Sequence, residues 1–535
     1  MKKNHRRFYP YILLLILTTA YATFFLAYND GVTERFRFVI QTFAFFLLIA
    51  SASRKLLNFF IVFSFFLSCF VLPTLTIYGN INYNYISSIY YTNMDESVSY
   101  IKLIPFWVYL SLLLLAVYSV FLLKTKSLKL TLPKMTKVLL LVFLISFPLK
   151  KALEPINLEP TDQGTKISDF FYFQPLEKVT LLSLYFDVKK EDEKLKKQSQ
   201  KPATWEIIKS SPDKTSNKTI VLVIGESVRK DFLHSYGFPI QNTPFIDASY
   251  HIQFDNYYAV APHTFASLLR TISLSNDLEN FETNNNILSL AKKIGYKTYW
   301  ISNQGRIGYH DSPVTIIANQ ADEMVFLKKG NHDSSNLQDA EMLPYFEQVM
   351  DKKEAQPRLI VLHMTGSHPS SCDRTDDEYD EFILSDDISC YNKSIKMLDS
   401  FLEKVHHQLV KNDEDFSLIY FSDHGLKLKN NMLSHGINKQ AFQVPFLLWQ
   451  SDLKETRQIK ATRTGKDFLH FFSQILGIET KNAQRNYQFI SEEKNDDKSL
   501  RVNDGDKKVI DYNSLKNNSL PNDLIQEAKK NSTKK

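Results

Sequence analysis

Carboxylate and imidazole side chains follow three strongly apolar segments of the sequence, at the point where each segment ends. Glu226 comes directly after the apolar run of TIVLVIGE, and Asp423 and His424 follow SLIYFS. His363 and His368 close the third segment, RLIVLHMTGSH. Oxygen and nitrogen ligands of these types suit Zn²⁺, and Mn²⁺ tolerates the same set. The sequence therefore predicts a metal site, provided that the three segments end at one place in the fold.

Thr264, in the segment APHTFASLLR, supplies a hydroxyl group where a helix is predicted to begin. A threonine hydroxyl is a poor nucleophile at neutral pH, but coordination to a divalent cation makes its proton far easier to lose. Phosphoryl transfer depends mainly on positioning and charge compensation, which the same cation would supply. His368 and His435 are suited to binding phosphate oxygens or protonating a leaving group. We therefore expect phosphoryl transfer through Thr264, with Ser267 as the next candidate nucleophile.

Each of these residues also has a simpler structural explanation. A glutamate after a strand, such as Glu226, is commonly a first-turn helix residue favoured by the helix dipole. Asp423 with His424 fits an ordinary turn. Thr264 fits a helix N-cap, and His363 fits a histidine buried in the core. The prediction of a site therefore rests on the convergence of all these residues at one edge of the fold.

Apolar strands alternate with helical segments between residues 219 and 490. Strands are predicted at Thr219–Gly225, Lys297–Asn303, Arg358–Thr365, Phe416–Ser422 and Val444–Trp449. Helices are predicted at Phe265–Ser273, Asn286–Lys293, Ser394–Leu409 and Phe468–Leu476. Strands that are apolar throughout and separated by helices indicate an α/β domain with a mostly parallel sheet covered on both faces. Ligands bind beyond the carboxyl ends of such strands, which is where the predicted metal ligands would meet.

The first 150 residues are dominated by Leu, Phe, Ile, Tyr and Val and predict a transmembrane domain of five helices. A helix needs about 20 mostly apolar residues to cross a bilayer. The candidate spans are Pro10–Tyr28, Phe36–Ala52, Leu56–Tyr78, Ile104–Leu123 and Met135–Leu149. The fifth is short, but flanking lysines that reach the interface would lengthen it. With only four spans, the soluble domain would be cytoplasmic instead.

The basic residues that flank these spans predict their orientation. One side would hold Lys2, Lys3, Arg6, Arg7, Arg54, Lys55, Lys124, Lys126, Lys129, Lys134 and Lys137. The other side would hold only Arg35, Arg37 and Lys102. Because Lys and Arg accumulate in cytoplasmic loops, the N-terminus is predicted to be cytoplasmic. Five spans then put everything after about residue 150 on the outer side of the membrane.

The remaining chain divides by composition into three parts. Residues 151–218 are polar and are predicted to be a linker with bridging helices, and residues 219–490 form the α/β domain. Residues 491–535 are a polar extension whose last fifteen residues we expect to be mobile. The net charge of +6 is spread along the chain. No basic stripe with interleaved aromatic residues is present, so nucleic acid is not an expected partner.

Cys372 and Cys390 flank an acidic loop in the soluble half. In an oxidising compartment a disulfide between them would stabilise the fold by roughly 3 kcal/mol. Two free thiols are the alternative. A disulfide would agree with a domain outside the cytoplasm.

Taken together, the short motifs of the chain resemble those of a known family. They are TN-x-x-E at Thr92–Glu96, GES-x-R at Gly225–Arg229, T-x-x-S at Thr264–Ser267, SNQG at Ser302–Gly305, HMTGSH at His363–His368, SDHG at Ser422–Gly425 and SHG at Ser434–Gly436. The set is similar to that of membrane-anchored phosphoethanolamine transferases of Gram-negative bacteria, in the alkaline phosphatase superfamily. That family has five spanning helices followed by a periplasmic α/β domain, so the resemblance covers nearly the whole chain.

The resemblance implies a function for each predicted site residue. The zinc ligands would be Glu226, Thr264, Asp423 and His424. Thr264 would also be the nucleophile that carries a phosphoethanolamine intermediate, with His368 and His435 flanking the substrate phosphate. The family takes its group from phosphatidylethanolamine, releasing diacylglycerol, and passes it to lipid A, a lipopolysaccharide core sugar or a periplasmic glucan. We therefore expect a monomeric, multi-pass enzyme of the bacterial inner membrane.

Three departures from the family pattern bear on the acceptor. Leu426 stands where many lipid A-modifying members have a glutamate, and the soluble half can form one disulfide instead of several. The family's YDNS reads YNKS at Tyr391–Ser394. Together with SNQG, these features resemble the members that modify the core heptose of lipopolysaccharide.

Three other kinds of protein fit parts of the pattern. A sulfatase would need a Cys/Ser-x-Pro-x-Arg motif, and TFASL from Thr264 lacks the cysteine, proline and arginine. A phosphoglycerol transferase shares the plan and the threonine nucleophile. A membrane receptor or scaffold with a degenerate site is the third alternative, and stoichiometric metal that depends on Asp423 would argue against it.

Overall fold

The structure is a computed structural model that describes residues 13, 16, 32–78, 86–87, 89–90, 100–101, 104–125, 131–153, 179–210, 219–304, 313–328, 338–412, 415–495, 497–505 and 508–532. Among the predicted features, the span Pro10–Tyr28 (Leu13 and Ile16 excepted), the motif Thr92–Glu96 and Gly305 lie outside these residues. The chain forms two compact units, which are described separately. In the described part, residues up to 190 belong to the first unit and residues from 191 onward to the second.

The first unit is helical. Its helices are α1 (Val32–Ala52), α2 (Arg54–Tyr78), α3 (Phe106–Lys124) and α4 (Lys134–Leu153), and α5 (Val179–Ser199) runs on into the second unit. Within the described residues, two segments are long and apolar enough to cross a membrane, Arg54–Ile77 and Phe106–Lys124. Only 39% and 22% of their apolar windows are buried, so most of their apolar surface is free to contact lipid.

Two of the other predicted spans lie within described helices. Phe36–Ala52 lies within α1, but the apolar segment Ile40–Ala52 is shorter than a bilayer requires, and Met135–Leu149 lies within α4. The arrangement of five spans therefore stays a prediction.

The second unit is built from many short strands and a smaller number of helices. In chain order the strands are β1 (Ile207–Ser210), β2 (Thr219–Gly225), β3 (Ile252–Phe254), β4 (Tyr257–Tyr258), β5 (Ser273–Leu274), β6 (Glu282–Asn286), β7 (Lys297–Ser302), β8 (Glu323–Phe326), β9 (Arg358–His363), β10 (Phe416–Ser422), β11 (Lys427–Lys429), β12 (Met432–Ser434), β13 (Phe446–Gln450), β14 (Arg457–Ile459), β15 (Arg463–Thr464), β16 (Ile478–Thr480), β17 (Arg501–Asn503) and β18 (Val509–Asp511). The helices are α6 (Pro244–Ala248), α7 (Thr264–Ile272), α8 (Ile287–Lys293), α9 (Pro313–Ala318), α10 (Leu343–Met350), α11 (Asp386–Lys411), α12 (Phe468–Ile475) and α13 (Asn522–Ser532).

Eight strands form the central sheet, in the order β14-β3-β13-β10-β2-β9-β7-β8. From β10 to β8 every neighbouring pair is parallel, and Leu222 of β2 lies opposite Ile419 of β10 and Val361 of β9. β13 is antiparallel to both of its neighbours. The mostly parallel sheet that we predicted is therefore present, with one reversed strand.

The two faces of the sheet are buried in two separate hydrophobic clusters. Along β2, Ile220, Leu222 and Ile224 belong to one cluster, while Val221 and Val223 belong to the other. Side chains alternate between the faces of a strand, so a strand covered on both sides is apolar at every position. Helices α7, α8 and α12 pack on the first face, and α10 and α11 on the second. The sandwich of sheet and helices agrees with the prediction.

Helix α11 begins eight residues before the predicted start at Ser394. The side chain of Ser385 accepts a hydrogen bond from Ile388 N, and Asp386 and Asp387 occupy the first turn. A serine cap and acidic residues stabilise a helix N-terminus, although these polar residues break the apolar periodicity. This extension brings Cys390 into the helix, where it forms the predicted disulfide with Cys372.

The C-terminal extension is ordered where the structure describes it. Strands β17 and β18 pair with each other, and α13 occupies most of the last fifteen residues. Leu524 and Ala528 of α13 are fully buried in the same cluster as Val221 and Val223. The expectation that this end is mobile is therefore wrong for residues 522–532, because two apolar side chains dock them onto the domain.

Candidate active site

Glu226 lies at the carboxyl end of β2, in the centre of the sheet. Its side chain is only 1% exposed, and the neighbouring Ser227 hydroxyl donates a 2.6 Å hydrogen bond to its Oε1. Ser227 has a positive φ of 63°, which turns the chain sharply away from the strand. Gly225 must be glycine, since a Cβ there would lie 2.6 Å from Tyr420 Oη. The buried strand and this close packing fix the carboxylate.

Asp423 and His424 follow β10, the neighbour of β2. Asp423 Oδ1 accepts hydrogen bonds from Ser227 N at 3.0 Å and from His424 N at 2.7 Å. Its Oδ2 is buried and has no hydrogen-bond partner among the described residues. His424 Nδ1 lies 2.8 Å from Gly425 O, so Nδ1 carries a proton, and Nε2 would offer its lone pair to a bound cation.

Thr264 is the first residue of α7 and brings its hydroxyl to the same place. Its Oγ1 donates to Glu226 Oε2 at 2.9 Å and lies 3.2 Å from His424 Nε2. His424 Nε2 is in turn 3.2 Å from Glu226 Oε1 and 3.4 Å from Asp423 Oδ2. One ligand atom from each of Glu226, Asp423 and His424 lies within 4.8 Å of the others. The structure therefore brings together all four residues predicted as metal ligands.

The electrostatics of this cluster suit a divalent cation. Burial and the charge of Glu226 raise the pKa of Asp423 to about 8. Burial lowers the pKa of His424, but the two carboxylates outweigh this and raise it to about 9. Burial raises the pKa of Glu226, yet the neighbouring His424 brings it well below its ordinary value. Two buried carboxylates without a cation repel each other, and a bound metal ion would remove this cost.

His368 and His435 lie beside this cluster. The ring of His435 is 5.2 Å from that of His424 and 5.3 Å from that of His368. Ligand atoms of His368, His435 and Glu226 also lie within 4.8 Å of one another. His368 follows β9 in the chain, whereas His435 directly follows β12. Burial, followed by the charges of His424 and His368, lowers the pKa of His435 well below its ordinary value.

Two candidate residues from the sequence, His363 and Ser267, support the fold and are not part of the metal cluster. His363, the last residue of β9, is buried against Trp300 with ring centroids 5.8 Å apart, and burial lowers its pKa to about 4. The hydroxyl of Ser267 is fully buried and donates a 2.6 Å hydrogen bond to Asp423 O. The simpler explanation therefore fits His363, and Ser267 supports the loop that carries Asp423.

Two neighbours of the site had no function assigned from the sequence. The ring of His263 is 5.5 Å from that of His435, and burial lowers its pKa to about 3. Gln304 Nε2 donates to Met364 O at 2.8 Å and to Glu226 Oε2 at 3.3 Å. The sequence could have indicated both residues as neighbours of the site, since His263 directly precedes Thr264 and Gln304 belongs to the motif SNQG.

Comparison with known proteins identifies the family. A family model described as Sulfatase matches residues 218–478. The phosphoethanolamine transferase OpgE of Escherichia coli K12 is 35% identical over 453 residues, which cover 83% of this chain and 84% of OpgE. The chain belongs to the phosphoethanolamine transferase family. A putative phosphoethanolamine transferase of Haemophilus influenzae is also 35% identical, over 67% of this chain and 72% of its own length.

Solved structures agree with the fold of this transferase. The integral membrane lipooligosaccharide phosphoethanolamine transferase A (EptA) of Neisseria meningitidis superposes with a TM-score of 0.59. The match has 18% identity and covers 88% of this chain and 96% of that one. The periplasmic domain of Escherichia coli EptC in complex with Zn matches with a TM-score of 0.50 and 21% identity, over 59% of this chain and 97% of that domain. The transferase is thus an enzyme with an alkaline phosphatase-like fold.

Proposed function

We propose that this transferase moves phosphoethanolamine in two steps, through a covalent intermediate on Thr264. In the first step, Oγ1 of Thr264 attacks the phosphorus of phosphatidylethanolamine, and the phosphorus–oxygen bond to diacylglycerol breaks. The threonine proton passes by way of Glu226 to the departing oxygen. In the second step, a hydroxyl of the acceptor attacks the same phosphorus and the phosphorus–oxygen bond to Thr264 breaks. The acceptor's proton passes by way of Glu226 to Oγ1 of Thr264, which restores the free enzyme. The observation that carries the proposal is the contact of Thr264 Oγ1 with both Glu226 Oε2 and His424 Nε2.

The metal ligands proposed for this chemistry are Glu226, Thr264, Asp423 and His424. The set is supported by Asp423 Oδ2, which accepts no hydrogen bond from the described residues, and by His424 Nε2, which faces Thr264 and both carboxylates. Zinc fits the ligand types best, and manganese tolerates them. A bound cation would lower the pKa of the threonine hydroxyl and attract a phosphoryl oxygen.

His368 and His435 are proposed to hold the phosphate oxygens. Their rings lie 5.3 Å apart beside the Thr264 cluster, so a phosphoryl group on Thr264 would come within their reach. A neutral imidazole donates one hydrogen bond through its N–H group, and donors of this kind stabilise the charge that develops on a transferring phosphoryl group. His263 would add a third imidazole on the same side.

A lipid donor explains why a phosphoryl-transfer domain is joined to apolar helices. The two segments that are able to span a bilayer support an anchor in the membrane that holds the donor. We propose five spans in the bacterial inner membrane, with the catalytic domain in the periplasm, because of the basic residues that flank the predicted spans. The disulfide between Cys372 and Cys390 supports an oxidising compartment. The enzyme is proposed to act as a monomer.

The acceptor is proposed to be a glycan of the cell envelope, either lipopolysaccharide or a periplasmic glucan. The motifs SNQG and YNKS favour the lipopolysaccharide core heptose over lipid A. The extent of sequence similarity favours a different acceptor, the one that OpgE uses, since OpgE matches over 84% of its length. The EptC of Escherichia coli K12 is 26% identical over 45% of its length. We therefore expect this transferase to use the same acceptor as OpgE.

Mass spectrometry of the envelope glycans tests this function. Lipid A, lipopolysaccharide core and periplasmic glucan would be isolated from cells with the wild-type gene, without it, and with Thr264→Ala. We expect phosphoethanolamine on one fraction, only with the wild-type enzyme. Thr271→Ala, which removes another threonine of α7, is the matched control and should retain the modification. A phosphoglycerol unit in its place would contradict the assignment of phosphatidylethanolamine as the donor. Modification in Thr264→Ala cells would contradict the assignment of Thr264 as the nucleophile.

A further inference from the structure

His435 follows a two-stranded hairpin that lies outside the central sheet. Strand β11 pairs with β12 in antiparallel register, with Leu428 opposite Leu433, and His435 comes directly after β12. Gly436 packs against the side chain of Lys427, since a Cβ there would lie 2.8 Å from Lys427 Cδ. An isolated hairpin is marginally stable in water. The position of His435 must therefore depend on contacts between the hairpin and other elements.

One outer edge of the hairpin is closed by Asn518 of the C-terminal extension. Asn518 Oδ1 accepts a 2.7 Å hydrogen bond from Leu428 N, and Asn518 Nδ2 donates a 2.9 Å hydrogen bond to Leu428 O. The side-chain amide thus pairs with Leu428 as the peptide group of a third strand would. At the opposite edge, Leu433 N donates to Asp387 Oδ2 at 2.7 Å. One side chain on each side therefore replaces a neighbouring strand.

Asn518 also joins the hairpin to the segment that carries Glu226. Arg229 Nη1 donates to Asn518 Oδ1 at 3.2 Å, and Arg229 Nη2 donates to Asn518 O at 2.9 Å. The Arg229 side chain is fully buried, and its backbone lies three residues after Glu226. Asn518 therefore bonds to two elements of the site region. One is β11, which pairs with the strand that precedes His435. The other is the motif Gly225–Arg229, which contains the proposed metal ligand Glu226.

We propose that Asn518 is a positioning residue, which sets the place of His435 relative to the cluster around Thr264. The proposal rests on the function proposed for His435. Neither aspartate nor leucine could make both hydrogen bonds to Leu428. Aspartate lacks the donor to Leu428 O, and leucine lacks both the donor and the acceptor. The C-terminal extension, beyond the residues matched by the family model, is then a functional part of the enzyme.

A double-mutant cycle in the full-length enzyme tests this proposal. Asn518→Leu, His435→Gln and the double variant would be assayed for phosphoethanolamine transfer from phosphatidylethanolamine in mixed micelles. Asn513→Leu, at an exposed asparagine of the same extension, is the matched control. We expect Asn518→Leu to lower kcat by about 10- to 100-fold, the size of effect that a displaced catalytic group has. The double variant should be no slower than His435→Gln, because the two changes remove the same contribution.

The other outcomes contradict the proposal in distinguishable ways. If the two losses multiply, Asn518 acts independently of His435, and the positioning function is overturned. The same holds if Asn518→Leu is as active as Asn513→Leu while His435→Gln is impaired. Full activity of His435→Gln would instead overturn the function proposed for His435. If Asn518→Leu does not fold, Asn518→Asp takes its place in the cycle, with a several-fold loss expected and the same criterion of non-additivity.

Discussion

The hydroxyl of Thr264 donates a 2.9 Å hydrogen bond to Oε2 of Glu226, the residue that follows the central strand β2. Thr264 begins α7, and Glu226 follows a strand that is buried along its whole length. One face of β2 and the apolar side of α7 belong to the same hydrophobic cluster, so the core of the domain fixes the distance between the two side chains. A nucleophile and a proton acceptor held by the core meet without a conformational search, which lowers the entropic cost of the reaction.

The first prediction concerns the nucleophile. Thr264→Ala should reduce transfer by at least about 10³-fold, because the nearby hydroxyls of Ser227 and Ser267 are buried and donate to Glu226 and to Asp423 O. Thr264→Ser retains the oxygen and should restore part of the activity. Mass spectrometry of the peptide that contains residue 264, after brief exposure to donor lipid, should detect a phosphoethanolamine adduct in the wild-type and serine proteins. Ser267→Ala is the control, and loss of the adduct in that variant alone would assign the nucleophile to Ser267.

The second prediction concerns the metal. The purified enzyme should contain about one zinc ion per chain at the Glu226, Asp423 and His424 cluster. Asp423→Asn removes a buried ligand charge and should lower both metal content, measured by plasma mass spectrometry, and activity. Asp452→Asn alters an exposed carboxylate and should change neither. Full activity of the wild-type enzyme after exhaustive chelation would show that the transfer needs no metal.

The third prediction concerns Tyr391, in the YNKS segment. Its hydroxyl donates to Ser227 O at 2.8 Å and accepts from Arg229 N at 2.8 Å. Tyr391→Phe leaves both backbone groups buried without a partner and should lower the free energy of unfolding by about 1–3 kcal/mol. Activity should fall as well, since Ser227 also binds Glu226.

Tyr257→Phe is the matched control for this change. Tyr257 is 1% exposed, and its hydroxyl has no hydrogen-bond partner among the described residues. Removal of that hydroxyl should cost little stability in the same denaturant titration. An equal loss in both variants would mean that the hydrogen bonds of Tyr391 contribute nothing specific.

The fourth prediction concerns pH and His251, which directly precedes β3. Burial lowers the pKa of His251 in the folded protein, whereas the unfolded chain protonates near its ordinary pKa of about 6.5. The unfolded state therefore binds the proton more readily, and stability should decrease as the pH falls below about 6.5. His251→Gln should reduce this decrease, measured as the thermal midpoint between pH 7.5 and pH 5.5. Identical slopes for wild type and His251→Gln would contradict the assignment.

Much of the sheet could be predicted from the sequence, because its central strands are buried on both faces. The predicted bounds of β2 and β10 agree with the structure, and β7, β9 and β13 lie within two residues of prediction. The strands β3, β8 and β14 were not predicted. Each has only three or four residues and lies toward an edge of the sheet, so neither length nor apolar periodicity marks it.

The residues of the site could be predicted because parallel strands deliver their carboxyl ends to one edge. Glu226, Asp423 and His424 follow neighbouring strands, and the structure brings them together. The contribution of Asn518 could not be predicted, since it depends on hydrogen bonds to Leu428 and Arg229, which are distant in sequence. Asparagine in a polar tail has no local pattern that indicates such a partner.

The docking of α13 also has a consequence for trimming of the chain by proteases. Leu524 and Ala528 belong to the same cluster as Val221 and Val223 of β2, so the helix shares a core with the central sheet. Cleavage between β18 and Asn518 would detach both these apolar side chains and the amide that closes the hairpin before His435. A single cut in this polar segment is therefore expected to impair the enzyme without altering any residue of the metal cluster.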